Sequence, residues 1–85
     1  MEQERDIETL IQTLSGYMRK KLLANQHKPH WRTHTDGHLE SRLLEEEYEL
    51  YEAILKKDDE GAWLEAADVA IFAAFRADKL AHEKK

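Results

Sequence analysis

The sequence predicts an all-α fold: a small helical bundle of three main helices per chain, completed by oligomerisation. Three observations predict it. Apolar residues recur at three- and four-residue steps along most of the chain, and no segment alternates apolar with polar residues as a half-buried strand does. Only two segments are rich in the residues that interrupt helices, Asn25–Gly37 and Lys56–Gly61.

The first helix is expected over Glu4–Ala24, where Ile7, Leu10, Ile11, Leu14, Tyr17, Met18 and Leu22 form one apolar stripe. A loop follows over Asn25–Gly37, with a proline, a glycine and two threonines. Asp36 is the expected cap of the second helix, Gly37–Lys57, and the two lysines at its end suit the negative pole of the helix dipole. Asp59 is the expected cap of the third, Glu60–His82.

That third helix is apolar around nearly its whole circumference: Trp63, Leu64, Val69, Ile71, Phe72, Phe75, Leu80 and eight alanines. Helices of this kind are normally buried. Three helices in one subunit cannot surround it, so a second chain is expected to help. Eighty-five residues make a single domain, 1–85, that is marginal on its own core. This too favours oligomerisation.

The chain has no cysteine, which excludes disulfides and thiolate metal sites. Its net charge of −5, from 18 acidic and 13 basic residues, argues against nucleic-acid binding through a basic face. No segment has the length of a membrane span, and the acidic start Met1–Ile7 is unlike a signal peptide. A cytoplasmic protein with no membrane partner is expected. The charge does not exclude a phosphate-bearing small substrate, because divalent ions held by carboxylates reverse the local charge.

Glu65 and Asp68 stand three residues apart, hence on one face, within the least polar helix of the chain. Buried carboxylates are costly unless paired or bound to metal. The second helix offers a matching pair, Glu46 and Glu49. At about 100° per residue, Leu39, Leu43, Leu50 and Ile54 fall within about 60° of one another. Glu46 lies about 20° from the edge of this stripe and Glu49 about 80° from it, while Glu47 falls on the apolar side. Acidic runs on helices are usually solvated faces. The joint occurrence of two pairs, one in so apolar a helix, points instead to four converging carboxylates and a hard cation. Oxygen-only ligation suits Mg2+ or Mn2+.

The residues Glu45-Glu46-x-x-Glu49, fifteen intervening positions and Glu65-Ala66-Ala67-Asp68 resemble the signature of the MazG-like all-α nucleoside triphosphate pyrophosphohydrolases. The resemblance covers roughly Leu39–Lys79. It implies that Glu46, Glu49, Glu65 and Asp68 ligate magnesium and that Glu45 orients or deprotonates the attacking water. It also implies a dimer or tetramer acting on a nucleoside triphosphate, releasing monophosphate and pyrophosphate, with nucleotide-pool control as the role. Two positions depart from the pattern. Glu47 stands where the family usually has an apolar residue. Ile71 and Phe75 stand where relatives often carry asparagine.

Four of the five histidines fall in His27–His38, at spacings that match no common zinc signature. In that loop Trp31 is a candidate stacking surface for a base, with Lys28 and Arg32 as phosphate partners. Lys79 is a candidate phosphate or interface contact. The competing functions are a non-catalytic metal-binding helical module and a dUTPase-like hydrolase on the same architecture.

Overall fold

The computed structural model describes residues 2–83, and every element among them is helical. Helix α1 spans Glu2–Ala24, α2 Asp36–Leu55 and α3 Asp59–Glu83, with a 3-10 turn at Trp31–Thr33 inside the first loop. The ends differ slightly from expectation because the caps do. Thr35, one residue before the expected Asp36, caps α2: its hydroxyl accepts from the His38 N–H at 3.1 Å. Asp58 takes the same role for α3, its carboxylate accepting from the Gly61 N–H at 2.9 Å. In each case the capping oxygen must reach the N–H three positions on from outside the helix. A Cβ on Gly61 would fall 2.1 Å from Asp58 Oδ2, so the bare glycine backbone is what lets this cap fold over the helix end.

Helix α2 ends in a left-handed residue that is not glycine. Lys57 has φ of 56°. The Asp58 N–H donates to the Ala53 carbonyl at 3.0 Å and the Lys57 N–H to that of Ile54 at 3.1 Å, closing a Schellman turn. A lysine in this conformation costs about 1–2 kcal/mol relative to glycine.

Helix α3 lies between the other two, which do not touch each other. Helix α2 runs antiparallel to it: Lys79 near the end of α3 meets Asp36 at the start of α2, and Arg76 faces Glu40. Helix α1 runs parallel to α3. Tyr17 stacks on Trp63, Lys21 reaches Asp68 and Trp31 reaches Asp78, the latter two pairs both 47 residues apart. On that register the first residue of α3, Asp59, matches Gln12. Everything earlier in α1 has run past the start of its neighbour. Ile7, Leu10 and Ile11 are accordingly exposed, although they continue the stripe of half-buried Leu14, Tyr17 and Met18.

The core is thin: Leu39, Ala53, Ala67 and Ile71 are its buried apolar members. The inward face of α2 runs Leu39, Leu43, Glu46, Leu50, Ala53, in alternating four- and three-residue steps. This is a rotation of the expected stripe. Ala53 replaces Ile54, which is exposed, and Glu47 lies in solvent. The centre of the face is therefore a glutamate. Helix α3 is central but not enclosed, since Ala73, Ala74, Ala77, Leu80 and Ala81 remain exposed.

Candidate functional site

The inward step of α2 at Glu46 meets the face of α3 that carries Glu65. One carboxylate oxygen each from Glu46, Glu49 and Glu65 lies within 4.8 Å of the others. Glu46 is buried, with 4% of its surface exposed. Glu65 is half-buried and Glu49 stands at the exposed edge. Buried oxygens normally have hydrogen-bond partners. Here Glu46 Oε2 and Glu65 Oε2 are both buried without one.

The electrostatics follow from this crowding. Burial pushes Glu46 up to about 8, with the Glu65 and Glu49 carboxyls and the Asp68 charge adding to it. Burial likewise raises Glu65; a hydrogen bond with Glu46 opposes this, while Glu49 and Asp68 add to it. Crowding by like charge makes these carboxyls harder to ionise. A divalent cation would remove that penalty and satisfy both orphaned oxygens, so the donor set fits a hard metal ion.

Two organic cations border the cluster. Arg42 donates through one nitrogen to Glu45 and through another to Glu46 Oε1 at 3.0 Å. Its guanidinium also lies over the Phe72 ring, 5.2 Å from the centroid. The fourth expected ligand, Asp68, does not join the three glutamates in this conformation; its Oδ2 accepts from Lys21 Nζ at 2.5 Å. Glu45 is at the rim, bound to Arg42 and more than half exposed. A shallow hollow of about 590 Å³ opens beside Glu49, between Ser41, Leu44, Tyr48 and Glu52.

The loop residues lie elsewhere. Trp31 is covered on both faces, by His30 at 4.0 Å and by Phe75 at 4.7 Å, and its Nε1 donates to Asp78 Oδ2 at 2.8 Å. Arg32 donates to the same carboxylate at 2.8 Å. Arg32 and Trp31 hold Asp78 down at about 2. Asp78 follows Asp68 by ten residues, which is about 15 Å along a helix. Lys79 is tied to Asp36 at 2.8 Å and to Glu83 at 3.1 Å, which raises its own pKa and lowers that of Asp36. Lys28 is exposed. In this conformation Trp31, Arg32 and Lys79 fasten the loop and the start of α2 to the far half of α3, and none reaches the glutamates. Phe75, which departs from the MazG-like pattern, supplies the flat surface on which Trp31 rests. Among the described residues no group of three histidines comes within ligating distance.

Sequence reasoning overlooked Lys21, Arg42 and Asp78. Arg42 was open to discovery, because it precedes Glu45 and Glu46 by three and four positions on one helix face. Lys21 continues the α1 stripe three residues after Met18 and four after Tyr17, a polar end to an apolar row. Asp78 is a third acidic residue within the apolar stretch Ala62–Ala81, as conspicuous as Glu65 and Asp68. No protein family, curated protein or solved structure was found to match this chain.

Proposed function

We propose that the chain is a MazG-like, magnesium-dependent nucleoside triphosphate pyrophosphohydrolase. It converts a ribo- or deoxyribonucleoside triphosphate and water into monophosphate and pyrophosphate, in the cytoplasm, as a control on the nucleotide pool. The observation that carries this reading is the convergence of Glu46, Glu49 and Glu65 with two buried, unpartnered oxygens. A stabilising packing contact has no use for such atoms, which cost energy until a cation arrives.

In this reading Glu46, Glu49, Glu65 and Asp68 hold Mg2+ or Mn2+. Such ions, when bound, would supply charge neutralisation for the triphosphate and lower the pKa of water. Glu45, at the solvent edge, is the side chain placed to orient or accept a proton from the attacking water. Arg42 holds Glu45 and Glu46 in register and is itself held flat by Phe72. The rate enhancement is electrostatic, coming from charges placed before substrate arrives.

The active form is a homo-dimer or tetramer. Support comes from the apolar surface left open on both outer helices: Ile7, Leu10 and Ile11 on α1, and Leu44, Tyr48, Tyr51 and Leu55 on α2. The latter four recur at four- and three-residue steps, the spacing of a helix–helix seam. They adjoin Glu45 and Glu49, so a second subunit seated there borders the site.

The test is product analysis. Common and oxidised nucleoside triphosphates are incubated with and without Mg2+, and the products are separated by ion exchange. Monophosphate and pyrophosphate, formed only with the metal, are expected. Diphosphate with orthophosphate as first products overturns the bond assignment, and no turnover of any triphosphate overturns the reading.

A further inference from the structure

Of the two organic cations at the acidic cluster, one is fixed and one is not. Arg42 makes two hydrogen bonds to two glutamates of its own helix and rests on Phe72. Lys21 makes a single contact, Nζ to Asp68 Oδ2, across 47 residues of sequence. It comes from α1, which packs on α3 and does not touch α2. The ammonium is therefore supplied by α1 and not by the helix that carries Glu46 and Glu49. Lysine is a point charge on a four-carbon stem and exchanges partners with little geometric penalty, whereas the planar arginine fork does not. Asp68 follows Glu65 by one helical turn, and the unpartnered Oε2 of Glu65 is buried.

We propose that Lys21 is the exchangeable counter-ion of this site: it neutralises Asp68 in the metal-free protein and passes to a phosphate oxygen of the substrate when a divalent ion takes Asp68. The inference rests on the metal-dependent reading above. A divalent ion ligated by Asp68 displaces the ammonium from its one partner among the described residues. Only about a quarter of the Lys21 side chain is exposed, so it cannot simply be hydrated in place. An unpaired cation beside a metal ion is unfavourable, and a polyphosphate is the anion that arrives with the metal. Lysine serves as a phosphate ligand in this manner, as a point charge. Metal alone and Lys21 thus compete for Asp68, while metal–polyphosphate and Lys21 cooperate. A lysine that only ties α1 to α3 shows neither effect.

The test uses Mn2+ and imidotriphosphate, a triphosphate that carries no base and resists hydrolysis. Free Mn2+ is followed by electron paramagnetic resonance in wild type, Lys21→Met and Lys21→Arg, and binding of the manganese–imidotriphosphate complex by calorimetry. Lys21→Met should bind Mn2+ alone about threefold more tightly, the scale of one partly exposed ion pair. It should bind the complex about tenfold more weakly, the scale of one charge-assisted contact. Lys21→Arg restores the charge and should bind the complex more tightly than Lys21→Met, but less tightly than wild type because its fork exchanges partners less readily. If Lys21→Met loosens α1, as seen by circular dichroism, Lys21→Gln is put through the same two titrations. A neutral variant that matches wild type in both titrations, or binds Mn2+ more weakly, overturns the inference and leaves the metal reading standing. A wild type that binds no Mn2+ overturns both.

Discussion

The two halves of α3 each present acid to the rest of the molecule, and they do opposite things with it. Asp78, in the C-terminal half, is met by donors: Trp31 Nε1 and Arg32 Nε, both at 2.8 Å. It is held down at about 2. Glu65, in the N-terminal half, is met by other carboxylates, and its partner Glu46 is pushed up to about 8. The same carboxyl group on the same helix is tied to donors in one place and crowded by other carboxyls in the other. Burial is the larger push on Glu46 and Glu65, and the donors Arg32 and Trp31 are the larger pull on Asp78. A carboxylate supplied with donors from another element closes structure. One crowded by carboxylates stores unfavourable charge that a metal ion can release.

The largest expected effect lies in the crowded half. Glu46→Gln should lower turnover by more than about 100-fold, beyond the range seen when only an outer-shell partner of a metal ligand is lost. Glu47→Gln, in solvent, should retain most of the activity. Equal losses in steady-state assays would mean that the inward face of α2 is misassigned.

The contrast should also appear as two pH slopes of opposite sign in metal-free protein. Glu46 keeps its proton in the folded state up to about 8, while the unfolded chain releases it near 4.5. Folding therefore loses stability as pH rises from about 4.5 towards about 8. Asp78 has a depressed pKa, so its contribution is present above about 3.8 and is lost as pH falls towards about 2. Thermal melts should peak in mildly acidic buffer. Magnesium should raise the melting temperature more at pH 8 than at pH 5, because at the higher pH it replaces fewer protons. A metal-free melting temperature that stays level or rises between pH 5 and pH 8 would contradict the crowding.

Paired variants of the two aspartates separate structure from site. Asp78→Asn should lower the melting temperature with and without metal alike, leaving the magnesium shift unchanged. Asp68→Asn removes repulsion from Glu46 and at the same time strands Lys21. These oppose each other, so metal-free stability should change by less than about 1 kcal/mol, in the range of a partly exposed pair. The magnesium shift should shrink. Identical shifts in Asp68→Asn and wild type would remove Asp68 from the ligand set. A comparably small effect is expected for Trp31→Phe, which keeps the stack on Phe75 and loses one hydrogen bond, at a cost of about 1 kcal/mol with or without metal.

Most of this architecture was legible in the sequence, because three-and-four periodicity sets helix identity and short breaks set helix ends. The rotation of α2 was not. A stripe drawn through leucines alone places Ile54 inside and Glu46 at its edge. The real face is drawn by the packing against α3, which turns Ala53 inward and leaves Ile54 exposed. The same limit applies to Lys21 and Asp78. Their partners lie 47 residues away in sequence, and a single helix read alone cannot show which neighbour completes it. Glu46, Glu49 and Glu65 were recoverable because i, i+3 spacing inside an apolar helix is a local signal. The occupation of Trp31 by His30 and Phe75 was not recoverable, since it depends on how the loop returns.

The lack of contact between α1 and α2 carries a consequence for how the molecule opens. Helices α2 and α3 are adjacent in sequence, joined by one tight turn, and need nothing from α1 to form their shared face. Helix α1 is attached by Leu14, Tyr17, Met18 and Lys21 on one side, and its first ten residues, Glu2–Ile11, are exposed. Undocking it breaks few contacts and leaves the hairpin intact, so α1 is an opening unit of its own. In amide hydrogen exchange its protons should be replaced earlier than those of α2 around Leu39–Ala53, at a rate that a second subunit covering Ile7, Leu10 and Ile11 would slow.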